Sequence, residues 1–496
     1  MMDRKISPAS LESCKDPLKA SKYFAVPDKL SDIFLVLIRI GILVSLIASV
    51  SLALHLAFSK PTRWFPLPDH LQVSHNVSDT APTNMSHILF GIGGSVNTWQ
   101  ERSCYSGLWW DPNTTRGFVW LDQKPKYDVS HFLVPYQISH DWRQFRHVHS
   151  DYAVRIARIV YESFKLGLPN VRWFVMGDDD TVFFPKNLVT VLGKYDHREM
   201  YYIGGNSESV EQDVMHAYGM AFGGGGFAIS YALAAQLANI FDSCLHRYYY
   251  FYGSDQRVWA CVSEIGVPLT KESGFHQLDI RGDPHGLLAA HPLAPLVSLH
   301  HLDHLQPLFS NQTHIDSMKT IIHAYHLDPY RIMQQTFCYD PKRRWSISIS
   351  WGYVVQIYTS MLPAKDLQTP LQTFKTWRSY SDGPFTFNTR PMSSDPCKQP
   401  ALFFLDKVQE VRSSGTVTSY KRFVHAEAKK CMAAGINPEE VERITVSALK
   451  LDPNYWKNVP RRQCCRVMDG GSIKDGSLRM RIRKCRTRET VTIRQL

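Results

Sequence analysis

The chain has 496 residues, 44% of them hydrophobic, ten cysteines and a formal net charge of +11. The composition is that of a globular protein able to bury a large core, and the length predicts more than one domain, since single cores stop growing near ~250–300 residues. The positive excess gathers in residues 461–496, so it belongs to the C-terminus and not to a whole surface, and the membrane topology below sets nucleic-acid partners aside.

Residues 1–32 read as a polar arm carrying Arg4, Lys5, Lys15, Lys19, Lys22 and Lys29. Residues 33–59 read as a transmembrane signal anchor. The uncharged stretch 40–58 reaches about 28 Å at ~1.5 Å per residue, enough to span the hydrocarbon. It is too long, and too far from the N-terminus, for a cleaved signal peptide. The basic arm before it places the N-terminus in the cytosol and the rest of the chain in a lumen. Sequons at Asn76, Asn84, Asn113 and Asn311 all lie beyond the span. All the cysteines except Cys14 do too, where disulfides are permitted. Nine is odd, so one free thiol or one intermolecular bridge is expected, and the spacing gives no zinc pattern. Residues 60–85, rich in Pro, Ser, Thr and Asn, read as a stem.

An α/β pattern follows over 86–325. Residues 87–94, which include Gly91, form an apolar run ending in glycines. Residues 117–122 form a second run that ends in Asp122. Residues 151–166 have helical spacing, with Ser150 as N-cap and Gly167 as stop. A strand then leads into Asp178-Asp179-Asp180. A helix between apolar runs signals parallel strands with crossovers, and the active sites of such sheets lie at the carboxyl ends of the strands. Gly91 and Asp122 are therefore candidate nucleotide contacts. A further strand is expected at 201–205, and a helix at 231–240 after Gly223–Gly226. From about residue 326 the texture becomes β-rich. Residues 345–351 alternate strictly and predict a half-buried antiparallel strand. Strands are also expected at 402–411, 415–423 and 477–483, the last with Arg479, Arg481 and Arg483 on one face.

Four constellations carry chemistry. Three adjacent carboxylates repel each other unless a cation intervenes, so Asp178, Asp179 and Asp180 suggest a site for Mn²⁺ or Mg²⁺ and a diphosphate. An aspartyl nucleophile at Asp178 with Asp180 as its acid, or a plain acidic turn, are the alternatives. The glycine run lacks the Lys-Ser/Thr of a Walker loop. It is either a close backbone approach to substrate or strand, or a flexible turn. Asp255 follows an aromatic cluster and suits general-base work if half-buried, or else serves as an N-cap or a partner of Arg257. His300, His301 and His304 supply imidazoles that could complete a metal shell or simply lie on the surface.

Together these pieces resemble the fringe-type glycosyltransferases of family 31. In order they are a W-F-x-x-x-D-D-D strand end, a G-G-x-G-F stretch, an acid in S-D-x-x-V and an H-L-D stretch. The arrangement is closest to the plant branch, which adds a C-terminal domain of unknown function. The resemblance implies a GT-A nucleotide-binding sandwich in a Golgi type II membrane protein. It implies Mn²⁺-dependent, inverting transfer from a UDP-sugar to a glycan or glycoprotein hydroxyl, usually as a β-1,3 linkage. By the same resemblance Asp180 and either His300 or His301 bind metal, and Asp178 and Asp179 help hold metal and sugar. Asp255 is the base, and Gly224, Gly225, Gly226 and Phe227 line the substrate. Gly-Gly-Gly-Gly-Phe replaces the G-G-A-G form of animal fringes, and the C-terminal module has no animal counterpart. A phosphatase and a catalytically silent lumenal glycan-binding protein remain the alternative functions.

Overall fold

A computed structural model describes residues 28–58, 81–130, 132–145, 151–411, 415–424, 438–468 and 476–492. The arm up to residue 27, most of the expected stem, Asn76 and the Ser150 cap lie outside the described residues. The chain divides into two units, Met1–Thr80 and Ala81–Leu496. In the first, helix α1 (Asp28–Phe58) contains Leu35–Leu54, 20 residues long and apolar enough to cross a membrane by length and composition.

The second unit begins with strands β1 (Ile88–Gly93), β2 (Gly117–Leu121), β3 (Tyr136–Ile138) and β4 (Trp173–Asp178). The two-residue β5 (Val182–Phe183) leaves their sheet, and β6 (Tyr202–Gly204), β7 (Phe227–Ser230) and β8 (Leu269–Lys271) complete it. The strand order is β3-β2-β1-β4-β7-β6-β8. The sheet is mixed where parallel strands were expected. β1, β2, β3 and β4 are parallel, but β7 lies antiparallel between β4 and β6. That reversal sets the start of β7 beside the carboxyl end of β4, with Phe227 opposite Met176, and so brings the glycine run to the triple Asp.

Helices α2 (Val96–Gly107), α3 (Asp151–Lys165), α4 (Pro185–Leu192), α5 (Val210–Met215), α6 (Tyr231–Arg247) and α7 (Ser254–Ile265) connect these strands. α3 stops at Gly167 (φ +59°) as expected, whereas α6 continues seven residues past the expected end at 240. One face of the sheet packs Phe174 and Tyr202 against Ile159, Leu237 and Val262 of α3, α6 and α7.

Strands β9 (Phe275–His276), β10 (Ile280–Gly282) and β11 (Ser298–Leu299) follow, with helices α8 (His285–Leu288) and α9 (His314–Leu327). β5, β11 and β9 form a small separate sheet. The C-terminal part supplies β12 (Gln335–Asp340), β13 (Trp345–Ser350), β14 (Val354–Tyr358) and α10 (Ala364–Gln368). Short strands β15 (Leu371–Gln372), β16 (Phe374–Thr376) and β17 (Arg390–Pro391) come next. Then follow β18 (Ala401–Val411), β19 (Gly415–Arg422), β20 (Arg443–Leu449), β21 (Cys464–Val467) and β22 (Ser477–Arg483). Among the described residues a barrel closes in the order β12-β13-β14-β18-β19-β20-β22-β21. Its apolar interior is continuous with the second face of the sheet: Phe90, Val175, Phe183 and Leu299 share one core with Ile347, Val355 and Val446.

Strand β13 corrects an expectation. Its alternation predicts a half-buried strand, yet every residue is buried. The hydroxyls of its polar face are bonded internally. Ser346 Oγ donates to the Ser360 carbonyl and accepts from Leu362 N, Ser348 Oγ accepts from Gln335, and Ser350 Oγ donates to the Leu288 carbonyl. Burial without loss is possible because each hydroxyl found a partner. In β22, Leu478, Met480 and Ile482 face the core while Arg479 and Arg481 are exposed and Arg483 pairs with Glu489. Disulfides join Cys244–Cys261, Cys338–Cys465 and Cys464–Cys485, Cys397 is also disulfide-bonded, and Cys104 is a free, exposed thiol.

Candidate functional site

The site is built by two strand ends. β4 carries its apolar run through the core beside β1 and ends on Asp178, level with Gly93. The chain then turns: Thr181 N donates to the Asp178 carbonyl at 3.0 Å, and Thr181 Oγ1 donates to the Gly224 carbonyl at 2.7 Å. β11 pairs antiparallel with β5, Leu299 opposite Val182, so the next residue, His300, returns over Asp180. His300 Nε2 lies 3.1 Å from Asp180 Oδ1 and 3.8 Å from Asp178 Oδ2. Ligand atoms of Asp178, Asp180 and His300 all fall within 4.8 Å of one another.

The charges there are strongly coupled. Asp178 keeps 40% of its side chain exposed. The protein around it pushes its carboxyl up to about 7, chiefly by desolvation, with His300 opposing and the neighbouring carboxylates adding. Desolvation also raises Asp180, but His300 and Arg102 outweigh it and hold that carboxyl below the usual range. His300 is the converse case. Burial lowers it, Asp180 overcomes burial, and the imidazole is raised to about 9. His301 is lowered to about 4 by burial and by the charge of His300.

These donors fit a hard divalent ion. Octahedral ligands about 2.0–2.1 Å from Mg²⁺ stand roughly 3 Å apart when adjacent, which is the Asp180–His300 separation. Buried Asp180 Oδ1 makes no hydrogen bond beyond its ion-pair contact with His300 Nε2 at 3.1 Å. Two carboxylates and one imidazole, open to the cleft at Asp178, leave positions for water or phosphate oxygens.

The other candidate residues take distinct places. Asp179 is buried, and both its oxygens are engaged: Thr98 Oγ1 donates at 2.6 Å and Arg102 at 3.0 Å. Asp122 Oδ1 accepts from Val96 N at 2.7 Å, at the start of α2. Gly91 lies under α3, where a Cβ would come within 2.8 Å of Ile159 and Met176. It lines, with Asp178, Gly223 and Asp255, a cavity of about 20 Å³, the size of one water. Gly224, Gly225, Gly226 and Phe227 are buried. A Cβ on Gly224 would penetrate the His300 ring, at 2.1 Å from Cε1. Gly225 N donates to Gln277 at 2.5 Å. Of the two ways open to the glycine run, it makes a close backbone approach, and the neighbour it approaches is the imidazole. His301 turns away from the carboxylates, with Nδ1 2.9 Å from Asp279.

Asp255 stands in the first turn of α7, half-buried. Its Oδ2 accepts from Gly223 N at 3.0 Å and its Oδ1 from Gln256 N at 2.9 Å. Burial raises its carboxyl, against those two N–H groups. Arg257 does not pair with it, since that guanidinium donates to the Tyr249 and Phe251 carbonyls. Sequence reading missed Arg102, which bridges Asp179 and Asp180 at 3.0 and 3.2 Å. The available signal was Ser95, an N-cap directly after the glycines that end β1, opening a helix beside the strand ends.

The fold and site define an α/β domain with an Asp-Asp-His cluster able to hold a metal ion, sharing its core with a β-barrel. The chain belongs to the family described as "Protein of unknown function, DUF604", which matches residues 212–465, just over half of its length. That match takes in Asp255, His300 and most of the barrel. No curated protein matches the sequence. Among solved structures, the chain is similar to the catalytic domain of Drosophila beta1,4galactosyltransferase 7 in complex with xylobiose. Identity is 11%, with 37% of this chain and 63% of that one covered, less than two thirds of its length, at a TM-score of 0.24. It is also similar to a glycosyltransferase involved in the glycosylation of the major capsid of PBCV-1, at 13% identity, 37% and 80% coverage and a TM-score of 0.24. Scores that low assign no common fold.

Proposed function

We propose that the chain is an inverting glycosyltransferase that moves a sugar from a UDP-sugar to a hydroxyl of a glycan or glycoprotein, most simply through a β-1,3 linkage. The observation that carries this reading is the convergence of Asp178, Asp180 and His300 at the end of a central strand, with Asp255 sharing a small cavity with Asp178. The motif order of fringe-type family 31 enzymes supports it. In this reading residues 86–325 are the GT-A domain and 326–496 a module fused to it through the shared core.

Asp178, Asp180 and His300 would hold Mn²⁺ or Mg²⁺. The bound ion supplies the positive charge that makes UDP a better leaving group. Asp179 fixes α2 through Thr98 and Arg102, and Arg102 keeps a cation at the rim of the carboxylate cluster. Asp255 takes the proton of the acceptor hydroxyl. Each of its oxygens accepts one backbone N–H and keeps a lone pair for that proton. The acceptor oxygen attacks the anomeric carbon opposite UDP, and no enzyme nucleophile is needed. The charge held on Asp180 by His300 and Arg102 argues against Asp180 as the protonated acid of a phosphatase.

The apolar helix, the basic arm and the sequons support a single-pass type II protein of the Golgi membrane with the catalytic part in the lumen. In sealed vesicles the C-terminus should resist protease. The full chain in detergent, screened against UDP-sugars with an acceptor glycan panel, should release UDP only when Mn²⁺ or Mg²⁺ is present. Release that ignores the metal, or none from any UDP-sugar, overturns the reading.

A further inference from the structure

We infer that Trp377, which lies between barrel strands β14 and β18, is a positioning residue for the metal-binding imidazole, making the C-terminal part of the chain a component of the active site. The inference rests on the metal reading above.

β16 leaves the barrel region and pairs antiparallel with β10, Thr376 opposite Ile280 and Phe374 opposite Gly282. One position beyond that pair stand Asp279 on one strand and Trp377 on the other. Both reach His301. Asp279 is fully buried, receives Ser207 Oγ on Oδ2 at 2.7 Å and lies 2.9 Å from His301 Nδ1. The Trp377 ring stacks on the His301 ring at 4.4 Å with an interplanar angle of 8°. One residue therefore grips the imidazole by its edge and the other by its face. His301 in turn lies 3.9 Å from the His300 ring, 33° from parallel.

On its other side His300 meets the bare backbone of Gly224, where no Cβ fits. The metal imidazole is thus a middle layer in a stack that runs Gly224, His300, His301, Trp377. Three layers come from the sheet domain and the last from the C-terminal part. The Arg281 guanidinium lies 3.8 Å from the Trp377 ring centre, and Arg281 Nε donates to the Trp377 carbonyl at 3.3 Å. The segment after Trp377 is anchored to the sheet domain as well. Arg378 N donates to Glu211 at 2.9 Å, Thr386 N donates to the Glu208 carbonyl at 3.1 Å, and Phe385 bridges Ser209.

A flat ring at the end of this stack fixes His301, and His301 fixes the tilt that aims His300 Nε2 at Asp180. Outer partners of a metal ligand are worth ~10–100-fold in affinity. Trp377→Leu keeps bulk and removes the flat face, whereas Trp377→Phe keeps a ring. Mn²⁺ binding to the full chain in detergent, followed by the electron-spin signal of free Mn²⁺, should weaken ~10-fold, the low end for a group that reaches the ligand through His301, in Trp377→Leu and recover most of that in Trp377→Phe. The melting temperature of the metal-free protein should match the parent in both. His300→Ala separates the two hypotheses. If it still binds Mn²⁺ as the parent does, the metal reading fails and the positioning role fails with it. If it loses Mn²⁺ while Trp377→Leu binds normally, positioning alone is overturned. It is equally overturned if Leu and Phe weaken binding alike and lower the melting temperature together.

Discussion

Strands β4 and β13 run through the same continuous core, and they treat their polar groups in opposite ways. β13 buries Ser346, Ser348 and Ser350, and each hydroxyl has a hydrogen-bond partner. β4 ends on carboxylates, and beside it buried Asp180 Oδ1 has no hydrogen bond beyond its 3.1 Å ion-pair contact with His300. A buried polar group without a partner costs ~1–3 kcal/mol, more when charged. The barrel strand is what folding alone selects. The carboxylate end instead gathers Asp178, Asp180 and His300 within 4.8 Å of one another, where a cation would relieve the crowding of like charges.

The largest effect is expected where that place meets chemistry. Asp255→Asn keeps the shape and removes proton acceptance. Transfer should fall by ~10²–10⁴ while UDP affinity persists, because the proposed reading gives the nucleotide to the Asp178, Asp180 and His300 cluster. A structural Asp255 gives another pattern, with melting temperature, UDP affinity and turnover all falling together. Near-normal transfer would falsify its assignment as base. Next in size, Asp180→Ala should lower Mn²⁺ affinity by more than the ~100-fold an outer partner is worth, and abolish metal-dependent UDP binding with the fold intact. Calorimetry that finds unchanged metal-dependent UDP binding would move the ligand role off this residue.

How much of this was legible in the sequence depends on distance along the chain. β4 and its carboxylates are visible because the apolar run and the acids adjoin each other. The strict alternation of 345–351 gave the strand, but not its full burial, because periodicity reports which residues share a face and not what covers that face. Cys338, Leu288 and Gln335 do the covering or bonding from elsewhere, and β12 supplies two of them. Asp178, Asp180 and His300 could be proposed singly. That His300 rather than His301 faces the acids follows from the pairing of β11 with β5, two-residue strands with no pattern of their own. Arg102 lies 77 residues from Asp179 and Trp377 lies 76 from His301 (377 − 301), and no local rule reaches them.

A smaller effect follows from the protons the site holds. In the metal-free protein, burial lowers His300 but Asp180 outweighs it, to about 9, and desolvation raises Asp178 to about 7. Mn²⁺ needs both groups deprotonated, so binding releases protons and affinity rises with pH. Between about 7 and 9 one proton, that of His300, is displaced, and affinity should climb ~10-fold per pH unit; below about 7 the second proton steepens the climb. Calorimetry from pH 6.5 to 8.5 in buffers of different ionisation enthalpy counts the protons directly. A flat profile would mean that His300 is neutral before the metal arrives and that its contact with Asp180 is not an ion pair.

The smallest functional effect is expected on the other side of the comparison. Ile349 is fully buried in β13, opposite Thr336 and Val355. Ile349→Ala leaves a cavity and should cost about 2–5 kcal/mol, read as a lower melting temperature. At 25 °C the variant remains folded, and Mn²⁺ affinity and turnover should stay at parental levels. The barrel and the sheet share one core, so this is not trivial. If the cavity stays local, the barrel acts on the site only through the ribbon that carries Trp377, and an apolar variant far from that ribbon is silent in function. A fall in Mn²⁺ affinity with Ile349→Ala would show strain passing from β13 through the common core to β5 and β11, and the two regions would then have to be treated as one mechanical body.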